Sequence, residues 1–133
     1  MKKEKSCGAV IFDHDKVLLI KQSNGDWGFP KGHVEGDETE METSIREVKE
    51  ETNIDIEVFI DKKYTISYEI SESILKEVVY FVAKPLTNEL LIQPNEILDA
   101  KWLDFNSAIK TITHDRVRNV LKSSIKDMNK KIL

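Results

Sequence analysis

"GDWGFPKGHVEGDETEMETSIREVKEETNID", residues Gly25 to Asp55, holds the segment whose reading decides the architecture. Its second half reads as an amphipathic helix. Met41, Ile45, Val48 and Thr52 fall at spacings of 4, 3 and 4 and form one buried stripe. Asp37 is expected as the N-cap, with Glu40 closing a capping box. Asn53 is expected to leave the helix in the left-handed conformation. The C-terminal end is anomalous, because Glu47, Glu50 and Glu51 crowd a terminus whose unpaired carbonyls already carry negative partial charge. Each carboxylate there costs roughly a few tenths of a kcal/mol, and neighbouring acids repel one another. Spaced three and four apart, the three are expected on one side of the helix, away from the buried stripe. Such a cluster of oxygen donors suits a hard divalent cation, Mg²⁺ above all. Arg46 can pair with a neighbouring acid and fix its orientation. A solvated glutamate-rich face is the competing reading of "REVKEE" taken alone.

Working outward, "CGAVIFD" and "KVLLIKQ" are β-rich runs joined at "DHD" as a first hairpin. "SNGDWG" is a turn-rich loop. "FPKGHVEGD" reads as irregular or short-stranded backbone leading into the helix. After the helix, "IDIEVFID", "KYTISYEI" and "LKEVVYFVAKP" read as three strands, and "DAKWLDF" as a shorter one. "DFNSAIKTI" is expected as a short helix capped by Asp104. The closing helix, "THDRVRNVLKSSIKDMNKKI", would bury Val117, Val120, Leu121 and Ile125. Trp102 is expected in the core. Together these predict an α/β fold, a mixed β-sheet sandwiched between helices (α/β/α).

The 133 residues suit a single domain, 1–133, around one core. With 40% hydrophobic and 33% charged residues the composition is globular rather than disordered. No apolar run reaches membrane-spanning length, so no membrane partner is expected. The basic start is followed only by the short run Ala9–Phe12, which is not the pattern of a signal peptide. Cys7 is the single cysteine, so no internal disulfide is expected; it reads as core in a reducing, cytoplasmic setting. The net charge of −4 argues against general nucleic-acid binding. The acids are concentrated. Six glutamates against Arg46 and Lys49 give −4 between Glu38 and Glu51, whereas the last twenty residues are basic.

Gly32, five residues, Glu38, seven residues, then Arg46-Glu47-Val48-Lys49-Glu50-Glu51-Thr52-Asn53-Ile54 resembles the Nudix box. Eight fixed positions match over 23 residues; Asn53 stands where that box has glycine, and asparagine is the next best residue for positive φ. The resemblance implies the Nudix fold and a Mg²⁺-dependent pyrophosphohydrolase (Mn²⁺ is an alternative ion) that cleaves a nucleoside diphosphate linked to a second group. It implies Glu47, Glu50 and Glu51 as metal ligands together with the main-chain carbonyl of Lys31.

The flanks narrow the resemblance. "WGFPKGHVE", "LKEVVYFVAKP" and "PNEILDAKWLDF" are similar to the asymmetrical diadenosine tetraphosphate hydrolases. That similarity implies Glu96 approaching the metals from outside the box and Lys76 contacting phosphate, with Lys31 and His33 as further cations beside it. Tyr64, Tyr68, Tyr80 and Trp27 are the aromatic residues available to stack on adenine, against a reading as core or cross-strand pairs. The expected chemistry is in-line attack of water with Glu50 as base, Glu51 as its alternative, and Glu47 and Arg46 in support. The expected partner is a small nucleotide, a tetraphosphate giving ATP and AMP. ADP-ribose, a nucleoside triphosphate, a diphosphoinositol phosphate and a 5′-triphosphate RNA end are the alternative substrates, and a non-catalytic nucleotide-sensing module is the alternative of a different class. Oligomeric state is left open.

Overall fold

The alternation in "CGAVIFD" sets the layers. Cys7, Ala9 and Ile11 face one side of the sheet, and Val10 and Phe12 face the other, all but Phe12 fully buried. The computed structural model describes residues 2–130. Its strands are β1 (Lys2–Asp13), β2 (Lys16–Gln22), β3 (Trp27–Gly28), β4 (Lys31–His33), β5 (Ile56–Ser71), β6 (Ile74–Pro85) and β7 (Ile97–Asp104); its helices are α1 (Glu40–Thr52), α2 (Phe105–Thr111) and α3 (Asp115–Lys130). The sheet runs β3-β2-β1-β6-β5, with β4 added on β1 and β7 on β2. β1 pairs parallel with β6 and antiparallel with β2 and β4, so the sheet is mixed. Val48 of α1 and Ile54 cover Ala9 and Ile11 on one face. Ala108 of α2 and Val117, Val120 and Leu121 of α3 cover Val10 and Phe12 on the other. This is the α/β/α sandwich expected, and Trp102 packs against the α1-side cluster.

Local chemistry explains most boundaries. Asp13 and Lys16 close the β1–β2 hairpin, with His14 at φ 56° in the turn. Asp104 caps α2, its Oδ1 accepting from the Ser107 N–H at 2.9 Å. Asn53 ends α1 at φ 67°, and its side chain donates to the Glu89 carbonyl at 3.0 Å, a bond that glycine could not make. Among the described residues no helix is long and apolar enough to cross a membrane.

Four expectations are corrected. The N-cap of α1 is Thr39, not Asp37: the Thr39 hydroxyl accepts from Glu42 N–H at 3.1 Å and Glu42 returns an acceptor to Thr39 N–H at 2.9 Å. The Thr-x-x-Glu pair satisfies both donors reciprocally, and Glu40 instead binds Lys5 at 2.5 Å and Lys63 at 2.8 Å. The buried face of α1 only partly follows Met41–Ile45–Val48–Thr52: Val48 and Thr52 are buried as expected, but Ile45 is 36% exposed and Thr43, Ser44 and Glu51 are buried as well. Ser44 and Thr52 bond back to the Glu40 and Val48 carbonyls, so these small hydroxyls can be buried. That rotation takes Glu51 into the protein rather than onto the outer face beside Glu50. Finally, "IDIEVFID" and "KYTISYEI" form one strand, β5, whose register shift between Phe59 and Lys63 absorbs the polar run as a bulge.

Candidate active site

β4 is three residues long, yet it orders the site. It pairs Ser6 with His33, Cys7 with Gly32 and Gly8 with Lys31. This lays Lys31 and Gly32 over the second half of α1. The Lys31 N–H donates to Glu51 Oε1 at 2.8 Å. At Gly32 a Cβ would lie 2.0 Å from the Glu47 carboxyl carbon, so the Glu47 carboxylate can rest there only because residue 32 has no side chain.

Arg46 is the hub. Its Nε and Nη2 donate to the two oxygens of Glu38 at 2.7 and 3.0 Å, Nη1 to Glu47 at 2.8 Å and Glu50 at 3.2 Å, and Nη2 also to the His33 carbonyl at 3.0 Å. The bond from Arg46 draws the Glu38 carboxyl down to about 2. Lysine offers a point charge without the planar fork. Arg46→Lys is therefore expected to lower unfolding free energy by about 1–2 kcal/mol in a denaturant titration, because Glu47, 13% exposed, loses a charged donor.

Burial dominates the remaining electrostatics. Glu51 is 7% exposed, and desolvation pushes its carboxyl up to about 8 despite the Lys31 N–H. Burial also raises Glu47 and lowers Lys31. Lys76 is 5% exposed, its Nζ donates to Ser6 Oγ at 2.6 Å, and burial followed by the charge of Lys31 lowers its pKa.

Two recesses meet at Lys31. One is lined by Lys31, Glu51, Glu96, Gln22 and Ser23, so Glu96 joins the acidic helix although 45 residues separate it from Glu51. The other is a cleft of about 130 Å³ whose walls include Trp27, Phe29, Tyr68, Tyr80 and Arg116. Tyr80 is 1% exposed and meets Phe29 edge-on with ring centroids 5.4 Å apart. His33 is exposed and borders neither recess; its carbonyl belongs to Arg46. Tyr64 is also elsewhere. It lies four residues, about 13 Å, along β5 from Tyr68, where its hydroxyl donates to Asp127 of α3.

Arg116, and the pair formed by His114 Nε2 and Asp26 Oδ2 at 2.8 Å, border the aromatic cleft and carry no signal in the sequence. They reach it because α3 begins beside the loop before β3: Trp27 N–H donates to Thr113 Oγ1 at 2.8 Å and Thr113 N–H to the Trp27 carbonyl at 3.1 Å. Only the three-dimensional approach of these segments could identify them.

The donor set beside Gly32 is all oxygen, which fits a hard divalent cation. Among the described residues no three acidic, histidine or cysteine side chains already stand together as a metal site. Glu47 and Glu50 each accept from Arg46 through Oε1, and Glu51 accepts from the Lys31 N–H through Oε1, which leaves Oε2 of each carboxylate without a side-chain donor among the described residues.

The fold and site define a class. Residues 2–123 match the NUDIX domain model, and the chain belongs to the Nudix hydrolase family. It is 33% identical over 127 residues to the asymmetrical bis(5′-nucleosyl)-tetraphosphatase of Caenorhabditis elegans, spanning 89% of this chain and 91% of that protein. It is 32% identical over 124 residues to the m7GpppN-mRNA hydrolase of Saccharomyces cerevisiae, spanning 89% of this chain but 12% of that much longer protein. A crystal structure of a C. elegans Ap4A hydrolase binary complex superposes with a TM-score of 0.84 at 29% identity, covering 95% of this chain and 98% of the other.

Proposed function

We propose that this Nudix hydrolase cleaves dinucleoside tetraphosphates asymmetrically, water attacking a phosphorus of the bridge to release a nucleoside monophosphate and a nucleoside triphosphate. The observation that carries the reading is Lys31, which borders both the acidic recess and the aromatic cleft. A nucleoside in the cleft would lead its phosphates past this cation toward Glu51 and Glu96. Glu47, Glu50, Glu51 and Glu96, with the Lys31 carbonyl, would hold divalent ions, Mg²⁺ first and Mn²⁺ as the alternative. When bound, such ions neutralise phosphate oxygens and acidify the attacking water. Glu50 is half-exposed and takes the proton of that water, while Arg46 fixes its orientation. Lys76, bonded to Ser6 Oγ and outside both recesses, would have to release that bond to reach a phosphate from β6, and Tyr68 and Tyr80 line the cleft proposed for the base. The cytoplasm is the proposed location.

Incubation with diadenosine tetraphosphate and Mg²⁺ in ¹⁸O water is expected to give AMP and ATP with label in one product only. Two ADP molecules, or no turnover, would defeat the reading. A second reading, hydrolysis at an RNA 5′ end, draws support from the similarity to the m7GpppN-mRNA hydrolase. A panel of capped and triphosphorylated RNA, ADP-ribose and nucleoside triphosphates separates it from the first.

A further inference from the structure

The chain has three arginines, Arg46, Arg116 and Arg118. Arg46 is bound to carboxylates, and Arg118 to the carbonyls of Ile109 and Ile112 and to Asp115. Arg116 differs: it borders the aromatic cleft, its Cζ lies 3.7 Å from the centre of the Tyr68 ring, and its buried Nε has no partner. None of its donors bonds to another residue among the described ones. At that separation the guanidinium is in direct cation–π contact with the ring. Tyr68 thus holds in place a cation whose donors are unused among the described residues. In the lining of the same cleft, Asp26 engages His114 and Asn24 through Oδ2, leaving Oδ1 without a partner among the described residues.

We infer that Arg116, held against Tyr68, makes the cleft selective for a guanine base over adenine. This rests on the reading that the cleft takes the nucleoside. Guanine presents two adjacent acceptors, O6 and N7, to which an arginine edge bonds twice; adenine replaces O6 with an amino group whose hydrogens oppose the guanidinium donors. The guanine N1–H and 2-amino group are donors for a carboxylate such as Asp26, where adenine offers only the acceptor N1. A phosphate is the other group Arg116 could take. The acids that would hold metal and phosphate border the neighbouring recess beyond Lys31, and Arg116 does not border it.

The test is calorimetric titration of the full chain in Mg²⁺ with GMP, AMP and 7-deaza-GMP, for wild type, Arg116→Met and Arg116→Lys. Wild type is expected to bind GMP roughly tenfold or more tighter than AMP, and to lose several-fold on removal of N7. In Arg116→Met the GMP/AMP ratio falls toward one and the penalty for losing N7 disappears. Arg116→Lys behaves similarly, because lysine has charge without the fork. AMP bound as tightly as GMP, a ratio that survives Arg116→Met or Arg116→Lys, an equal loss for both nucleotides in Arg116→Met, or no GMP binding up to millimolar concentration would each overturn the inference. Parallel kcat/KM values for diguanosine and diadenosine tetraphosphate separate this inference from the reading beneath it. Turnover of both without preference defeats guanine selection alone; absent turnover with the GMP preference intact defeats only the proposed reaction.

Discussion

Glu50→Gln is expected to lower kcat on a dinucleoside tetraphosphate by about 10²–10⁴ while changing unfolding free energy by no more than about 0.5 kcal/mol. The small structural effect follows from its surroundings. The Glu50 side chain is 47% exposed, and among the described residues its one hydrogen bond is from Arg46 Nη1 at 3.2 Å. Glutamine keeps an acceptor for that bond. The large kinetic effect follows from the chemistry assigned to it, since an amide can neither accept a proton from water nor lend charge to a cation. Glu47→Gln would not separate the two effects as cleanly, because Glu47 is 13% exposed and packed on Gly32. Steady-state kinetics beside a denaturant titration read both quantities. Unchanged turnover in a folded Glu50→Gln protein would take the base role from Glu50 and leave Glu51 as the alternative, whereas nucleotide binding without turnover in the wild type would mark a module that senses a nucleotide without cleaving it.

The legibility of the chain follows the range of the forces involved. The hairpin at "DHD", the cap at Asp104 and the left-handed Asn53 are local effects, decided by residues within a turn of one another, and the structure has each of them. The start of α1 was also local, but two acidic capping patterns competed within three residues and Thr39 with Glu42 prevailed. The rotation of α1 was not local. Periodicity favoured the large residues Met41 and Ile45, whereas close packing of the helix on β1 selected the small Thr43 and Ser44, and this buried Glu51. Lys31 and Glu96 could be proposed only through resemblance, because their meeting with Glu51 depends on the β1–β4 register and on the loop bonds from Leu91 and Gln93 N–H to the Thr52 and Glu51 carbonyls. Tyr64 and Tyr68 share a strand face and are indistinguishable by alternation. Only the position of α3 gives one a partner in Asp127 and the other a place in the cleft.

Stripped of divalent ions, the protein is expected to lose stability as pH rises from about 4.5 to about 8, and Glu51→Gln is expected to remove most of that loss. Burial lifts the Glu51 carboxyl from 4.5 to about 8. Across this window the folded protein keeps a proton that the unfolded chain releases, so unfolding becomes easier with each step in pH. The contribution is flat below the unfolded value and flat above the folded one. The interval, 8 − 4.5 = 3.5, corresponds to at most about 5 kcal/mol at 1.36 kcal/mol per unit. Glu47, also raised by burial, adds in the same direction. Glu38, held at about 2 by Arg46, has the opposite sign, but its window lies below 4.5 and leaves the slope above it untouched. Denaturant titrations in chelator at pH 5, 6, 7 and 8 measure the slope directly; a flat wild-type profile, or a slope that survives Glu51→Gln, would contradict the assignment. Magnesium should act in the reverse sense. Ligation requires the ionised carboxylate, so the ion should stabilise wild type more at pH 8 than at pH 6. Glu51→Gln should lose most of that gain, because the carboxylate that burial makes costly in the free protein is the one a cation would relieve.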